Sequence, residues 1–199
     1  MTTMVYKKNY IAPPIDKCEA LRYAGAKEDD PTLIALIDEC TTEAADILSY
    51  KLCYAEYPIT SVENTVDFGF TSIESRSLSE RLADCDSAII FAATVGIGID
   101  RLIAKYSRVS PSRALLLQGL GAERIEALCD LFVSELSQTG YSLTSRFSAG
   151  YGDLSLTYQR EIFRALDCAK NIGLTLNESL LMSPTKSVTA IIGVKRGKL

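Results

Sequence analysis

The chain contains no histidine. That absence excludes a Ser-His-Asp triad, a Cys-His nucleophile pair and any metal site built on imidazole ligands. Cysteine is present but scattered, at positions 18, 40, 53, 85, 129 and 168, and no Cys-x-x-Cys pair occurs. Such spacing argues against a zinc site or a disulfide framework and predicts mostly reduced core thiols. A basic cluster is also missing. With 21 Lys and Arg against 25 Asp and Glu, the net charge is −4. An acidic chain of this kind is a poor fit to nucleic acid or to an anionic membrane surface. The longest apolar run, Ala88 to Ile99, falls short of the roughly 20 residues that span a bilayer. The opening MTTMVYKKNY has no apolar stretch behind its lysines, so it does not read as a secretory signal. The expected compartment is the cytoplasm.

What is present suits a folded protein. Hydrophobic residues make up 47% and charged residues 23% of 199. This length and balance predict one domain or a domain and a half, read here as a single domain over residues 1–199, with a substantial core. Residues 5–11 read as a strand and 18–23 as a short helix closed by Gly25. Asp30-Pro31 starts a helix whose stripe includes Leu33, Leu36, Ile37, Cys40, Ala44 and Leu48. Residues 51–59 and 62–70 alternate and are rich in β formers, which predicts a hairpin. Ser77 and Glu80 are spaced as a capping box for a helix over 77–83. Residues 87–95 form a buried strand and 99–106 a helix. Pro111 opens a long helix to about Gln138, in which Gly119 and Gly121 cost about 1 kcal/mol each relative to Ala and suggest close packing or ligand approach. Residues 141–147 are extended, 157–170 form a helix ended by Gly173, and 187–194 form the last strand. Irregular strand order with one hairpin predicts an α+β fold with a largely antiparallel sheet.

Gly96-Ile97-Gly98 follows a strand and precedes a helix, where phosphates often bind. Arg101 stands where a third glycine belongs, so the dinucleotide fingerprint is incomplete. Residues 146–151, Arg-Phe-Ser-Ala-Gly-Tyr, are the most informative stretch. A guanidinium can clamp a carboxylate through two parallel hydrogen bonds. Gly150 lets the backbone turn or approach a ligand. Tyr151 offers a flat ring with a polar tip. The set fits a small zwitterion with a carboxylate and an aromatic base. On the residues alone, a surface Arg before a glycine turn and a core Tyr is the simpler reading. On the preceding helix Glu126 and Asp130 share a face. They suit an ammonium or a ribose hydroxyl pair, and with Glu123 they also suit a solvated acidic face.

Residues 146–151 match the Arg-x-x-x-Gly-Tyr signature, and with it the chain resembles a free-standing form of the activation domain of cobalamin-dependent methionine synthase. The resemblance continues through GDLSLTYQREIFRALDCAKNIG from Gly152 and LTLNESLLMSPTKSVTAIIGV from Leu174. Glu19 to Gly25 and Ala93 to Arg101 are similar to small free-standing members. The resemblance implies a curved, largely antiparallel sheet flanked by helices, and S-adenosylmethionine as ligand. It implies that Arg146 grips the methionine carboxylate, that Gly150 lets the ligand close in, and that Tyr151 packs against it. Ser187 and Val188 would form a wall, and Glu126, or the next position, Ala127, a further contact. The segment 94–100 becomes a structural turn beside the site. No catalytic or metal-binding residue is implied.

The function implied is reactivation. When the cobalamin of methionine synthase has been oxidised to cob(II)alamin, reduction coupled to methyl transfer from S-adenosylmethionine restores it. This chain has no Asp-x-His-x-x-Gly corrinoid motif and no imidazole to offer a corrin. Cobalamin would therefore come from a partner, a methionine synthase or related corrinoid protein, with a flavodoxin-type electron donor. The chain would act in trans, without turnover of its own. Gly140 stands where the large enzymes have an acidic residue. Two other readings stay open: a corrinoid-protein docking module that does not use S-adenosylmethionine, and an independent small-molecule methyltransferase.

Overall fold

The computed structural model describes residues 3–27 and 30–195. β1 (Tyr6–Tyr10) leads to α1 (Lys17–Tyr23), α2 (Pro31–Ala44) and β2 (Tyr50–Pro58). Three short strands follow, β3 (Thr60–Val62), β4 (Thr65–Asp67) and β5 (Ser72–Glu74), then α3 (Arg76–Leu82) and β6 (Ser87–Thr94). Next come α4 (Gly98–Val109), α5 (Pro111–Ser137) and the short β7 (Ser142–Leu143). A 3-10 turn over Leu156–Tyr158 precedes α6 (Gln159–Leu166) and α7 (Cys168–Ile172). β8 (Thr175–Leu176), β9 (Met182–Ser183) and β10 (Ser187–Lys195) complete the described chain.

The main sheet is curled and runs in the order β1-β2-β6-β10-β7, with every neighbouring pair antiparallel. Its centre is β6, buried at all eight positions. A strand covered on both faces must be apolar on both, which explains the unbroken run of the sequence. Alternate residues serve different layers. Ile89, Phe91 and Ala93 pack toward α1, α2 and α5, and Ala88, Ile90 and Ala92 toward α3, α6 and α7. The long α5 seats Phe132 edge-on to Phe91, with ring centroids 5.1 Å apart. This α+β architecture is the one the sequence predicts.

Several local expectations need correction. Residues 51–59 and 62–70 do not form a hairpin. Both edges of β2 are taken, by β1 and β6. The second segment turns at Glu63, whose φ is +52°, and joins the separate three-stranded meander β3-β4-β5. There Val66 and Phe68 are buried against the α3, α6 and α7 layer. The helix α3 is capped by Ser75, not by a Ser77–Glu80 box. Ser75 Oγ accepts from the Leu78 amide at 3.1 Å, while Glu80 pairs with Arg76 at 2.7 Å. The helix expected over 157–170 is two helices. Asp167 adopts a left-handed φ of +45° between them, and Asn171 Nδ2 donates to the freed Leu166 carbonyl at 2.6 Å. Gly173 closes the second, as expected, at φ +71°.

Gly119 and Gly121 do not interrupt α5. A Cβ on Gly119 would overlap the Ala20 carbonyl oxygen and stand 2.8 Å from Ala24 Cβ. That glycine is what lets α1 lie directly on α5. Four of the cysteines, Cys40, Cys53, Cys129 and Cys168, are buried, Cys18 is exposed, and all six are unbridged. Among the described residues no helix is long and apolar enough to cross a membrane.

Candidate functional site

The site is organised by an unfinished sheet edge. One side of β10 pairs with β6 from Ser187 to Val194. The other side is covered only toward its end, by β7 at Val194 and Lys195 and by a bridge from Phe147 to Ile191. Phe147 and Ile191 exchange both backbone bonds, at 2.9 and 2.8 Å. Two residues back along an antiparallel strand, the backbone points the same way. The amide and carbonyl of Thr189 therefore face outward where no described strand continues the pairing. A cavity of about 500 Å³ occupies that gap. This is within the ordinary size of a small-molecule pocket, roughly 300–1,000 Å³.

The segment after Phe147 forms the cavity's outer wall, and its own bonds hold it. Gly150 N donates to Leu154 O at 2.8 Å, and Leu154 N donates to Tyr151 O at 3.0 Å. Gly150 has φ +94°, a conformation for which glycine is the natural residue. The wall is pinned to α3 by Asp153, which accepts from Ser75 Oγ at 2.6 Å and from the amides of Arg76 at 2.8 Å and Ser77 at 3.2 Å. The Ser75 hydroxyl, then these amides, hold the Asp153 carboxyl down at about 2. A helix N-terminus offers unpaired amides and a positive dipole end, so an acidic residue is favoured there.

Of the residues expected from the sequence, Glu126, Arg146, Tyr151, Ser187 and Val188 line this cavity, while Gly150 sits in the wall loop behind it. Arg146 is not idle. Its Nη2 donates to Glu126 Oε2 and to Asp130 Oδ1, both at 2.9 Å. Burial opposes its charge, but the Glu126 and Asp130 carboxylates favour it, and the guanidinium holds its proton more tightly than usual. Burial pushes the neighbouring Cys129 thiol up to about 12, so that thiol is neutral near pH 7. A second cavity of about 700 Å³ lies on the other side of Arg146 and Glu126, lined also by Asp16, Glu19 and Asp130. The Arg146–Glu126 pair is the partition between a mixed-polarity cavity and an acidic one. Tyr151 is 67% exposed and stands at the rim.

Ser187 works through its neighbours. Its Oγ lies 2.8 Å from Thr94 Oγ1 and 2.8 Å from the Pro184 carbonyl. It thereby ties β10 to the 94–100 turn, where Asp100 accepts from Thr185 N at 2.8 Å. The glycines of that turn serve packing: a Cβ on Gly96 would overlap Ser49 Oγ, and one on Gly98 the Ile47 carbonyl. Glu123 is not part of an acidic surface. It is buried and pairs with fully buried Arg124, which also donates to the Pro13 and Pro14 carbonyls at 2.6 and 2.7 Å.

Sequence reasoning missed Arg81, Gln159 and Thr189 on the cavity wall and Asp153 behind it. Thr189 was the findable one, a polar residue set between Val188 and the apolar run Ala190–Val194 of the final strand.

Residues 71–196 match the family model described as the vitamin B12 dependent methionine synthase activation domain. The chain belongs to this family. Among solved structures, the MetH reactivation domain bound to AdoHcy superposes with a TM-score of 0.74 at 15% identity, covering 99% of this chain and 80% of that one. At that identity the likeness speaks to the fold, and it extends it over residues before 71. No curated protein matches the sequence.

Proposed function

We propose that this chain binds S-adenosylmethionine at the open edge of β10 and acts in trans on a cobalamin-dependent methionine synthase or a related corrinoid methyltransferase. In that role it supports reductive methylation of the partner's cob(II)alamin, with the electron coming from a flavodoxin-type donor. Membership of the activation domain family gives the reactivation role its main support. The observation that carries the ligand is Arg146, which lines a cavity of about 500 Å³ beside unpaired strand backbone. A guanidinium suits a carboxylate, and the free Thr189 amide and carbonyl suit a polar ligand spine.

S-adenosylmethionine would supply the methyl group and leave as the thioether, while the partner's cobalt takes the electron. This chain's residues have the simpler task of holding the ligand. Arg146 takes the carboxylate at the partition, with Glu126 placed for the ligand's ammonium. Val188 and the backbone of β10 form the floor, and the Tyr151 ring closes over the rim. Methyl transfer from a sulfonium needs no general base, which agrees with a chain that has no histidine.

The test is reconstitution. A cobalamin-dependent methionine synthase deprived of its own activation domain is oxidised to the cob(II) state and given reductant, S-adenosylmethionine and this chain. Recovery of turnover that requires all three supports the reading. Equal recovery without S-adenosylmethionine supports a docking module instead. Methylation of a small substrate without any corrinoid protein supports an independent methyltransferase.

A further inference from the structure

The cavity has two chemically different ends, on opposite faces of the sheet. Arg146 reaches toward α5, where Glu126 and Asp130 hold it. Thr189 points the other way. Its neighbours Ala190 and Ile192 belong to the α5-side core, Ile191 to the α6-side core, and side chains alternate along a strand. Thr189 therefore shares its face with Ile191, Phe147 and α6, whose first residue is Gln159.

Among the described residues, three atoms on this cavity's wall, Gln159 Oε1, Thr189 Oγ1 and Arg81 Nε, are buried without a hydrogen-bond partner. Gln159 is 6% and Thr189 2% exposed. Buried polar atoms in proteins are overwhelmingly paired, and a buried acceptor left unpaired is costly. Three such atoms lining one cavity mark a place built for a group that enters from outside. Arg81 lines the same cavity, with its guanidinium carbon 4.9 Å from the Phe147 ring centroid. A cationic donor at this end would meet a like charge. The missing donor is therefore neutral, and the unpaired Arg81 Nε calls for an acceptor beside it.

We propose that Gln159 and Thr189 form the subsite that reads the base of a nucleoside ligand through an exocyclic amine. The inference rests on the reading that a nucleoside sulfonium or thioether occupies this cavity. A glutamine amide presents one acceptor and one donor side by side, the pattern that matches the amine and adjacent ring nitrogen of adenine. Thr189 adds a hydroxyl that donates or accepts. With its carboxylate on Arg146, the ligand would cross the open edge of β10 and place its base on the α6 side.

The test compares S-adenosylhomocysteine with its 6-desamino analogue, in which hydrogen replaces the exocyclic amine. Both are titrated calorimetrically into the wild type, Gln159→Leu and Thr189→Val, each checked for a native melting transition. The wild type is expected to prefer the amine-bearing ligand by about tenfold or more, and Gln159→Leu to bind both ligands alike. Thr189→Val, nearly isosteric, is expected to lose part of the preference. A wild type that binds both ligands equally overturns the proposal while leaving the Arg146 site standing, and this arm needs no variant to fold. A preference that survives intact in Gln159→Leu also overturns it. If the wild type binds neither ligand, the underlying site reading fails, and the base subsite with it.

Discussion

Asp153 and Ser75 lie 78 residues apart in sequence, yet the Ser75 hydroxyl donates to the Asp153 carboxylate at 2.6 Å. The contact ties the glycine-tyrosine loop to the start of α3. Ser75 is at once the cap of that helix and the anchor of the cavity wall.

Asp153→Asn is expected to lower the melting temperature at pH 7 and to weaken ligand binding by loosening residues 148–154. The pH dependence has a definite sign. The folded carboxyl is depressed to about 2 from an ordinary value near 3.8. Its contribution is fully present above the ordinary value and fades as pH falls from about 4 toward 2. The wild type should lose stability across that window more steeply than Asp153→Asn. Thermal melts at stepped pH measure this, and parallel curves would contradict it.

Replacing Arg124 with Met should be among the most damaging substitutions in the protein. It strands the buried Glu123 carboxylate and leaves two proline carbonyls without their donor. Breaking one side of a buried ion pair costs about 3–5 kcal/mol. Urea denaturation should show that loss. A change below about 1 kcal/mol would mean that the pair is not buried as described.

Gly119→Ala sets helix propensity against sterics. Alanine gains about 1 kcal/mol in a helix interior. The added Cβ meets the backbone of Ala20 and the Cβ of Ala24, which cannot swing aside. Overpacking of this sort costs about 1–3 kcal/mol, so net destabilisation is expected. Gly121→Ala should be milder, because its nearest neighbour is the Lys186 side chain, at 2.9 Å. Equilibrium unfolding of the two variants checks the order.

Glu126 and Asp130 should part company in binding assays although both pair with Arg146. Asp130 is 71% exposed and does not line the β10 cavity, whereas Glu126 does. Asp130→Asn is expected to change S-adenosylhomocysteine affinity by less than about threefold, in keeping with a screened surface pair. Glu126→Gln, which removes the partner of the ligand's ammonium, should cost about tenfold or more. Calorimetry on both variants decides between them.

The outline of the fold was legible because it rests on periodicity. The run from Ser87 to Thr94 and the alternation from Tyr50 to Pro58 each point to one structure. What the sequence did not disclose depends on non-local competition. Whether 62–70 pairs with β2 is decided by β1 and β6, which between them take both of its edges. Whether Ser75 or Ser77 caps α3 is decided by Asp153. The break at Asp167 needs only a single left-handed residue with a side chain, Asn171, ready to satisfy the carbonyl it frees. Arg146 and Tyr151 were visible because a charged and an aromatic residue flank a glycine. Gln159 and Thr189 were not, since only the three-dimensional burial of their oxygens sets them apart from ordinary polar residues.

The most direct measurement is a calorimetric titration of S-adenosylmethionine into the wild type and into Arg146→Ala. Losing one partner of a buried charge-assisted contact costs on the order of 2–5 kcal/mol, so binding should fall at least about thirtyfold in the variant while its melting transition stays cooperative. A folded Arg146→Ala that binds as tightly as the wild type would contradict a carboxylate site at the open edge of β10.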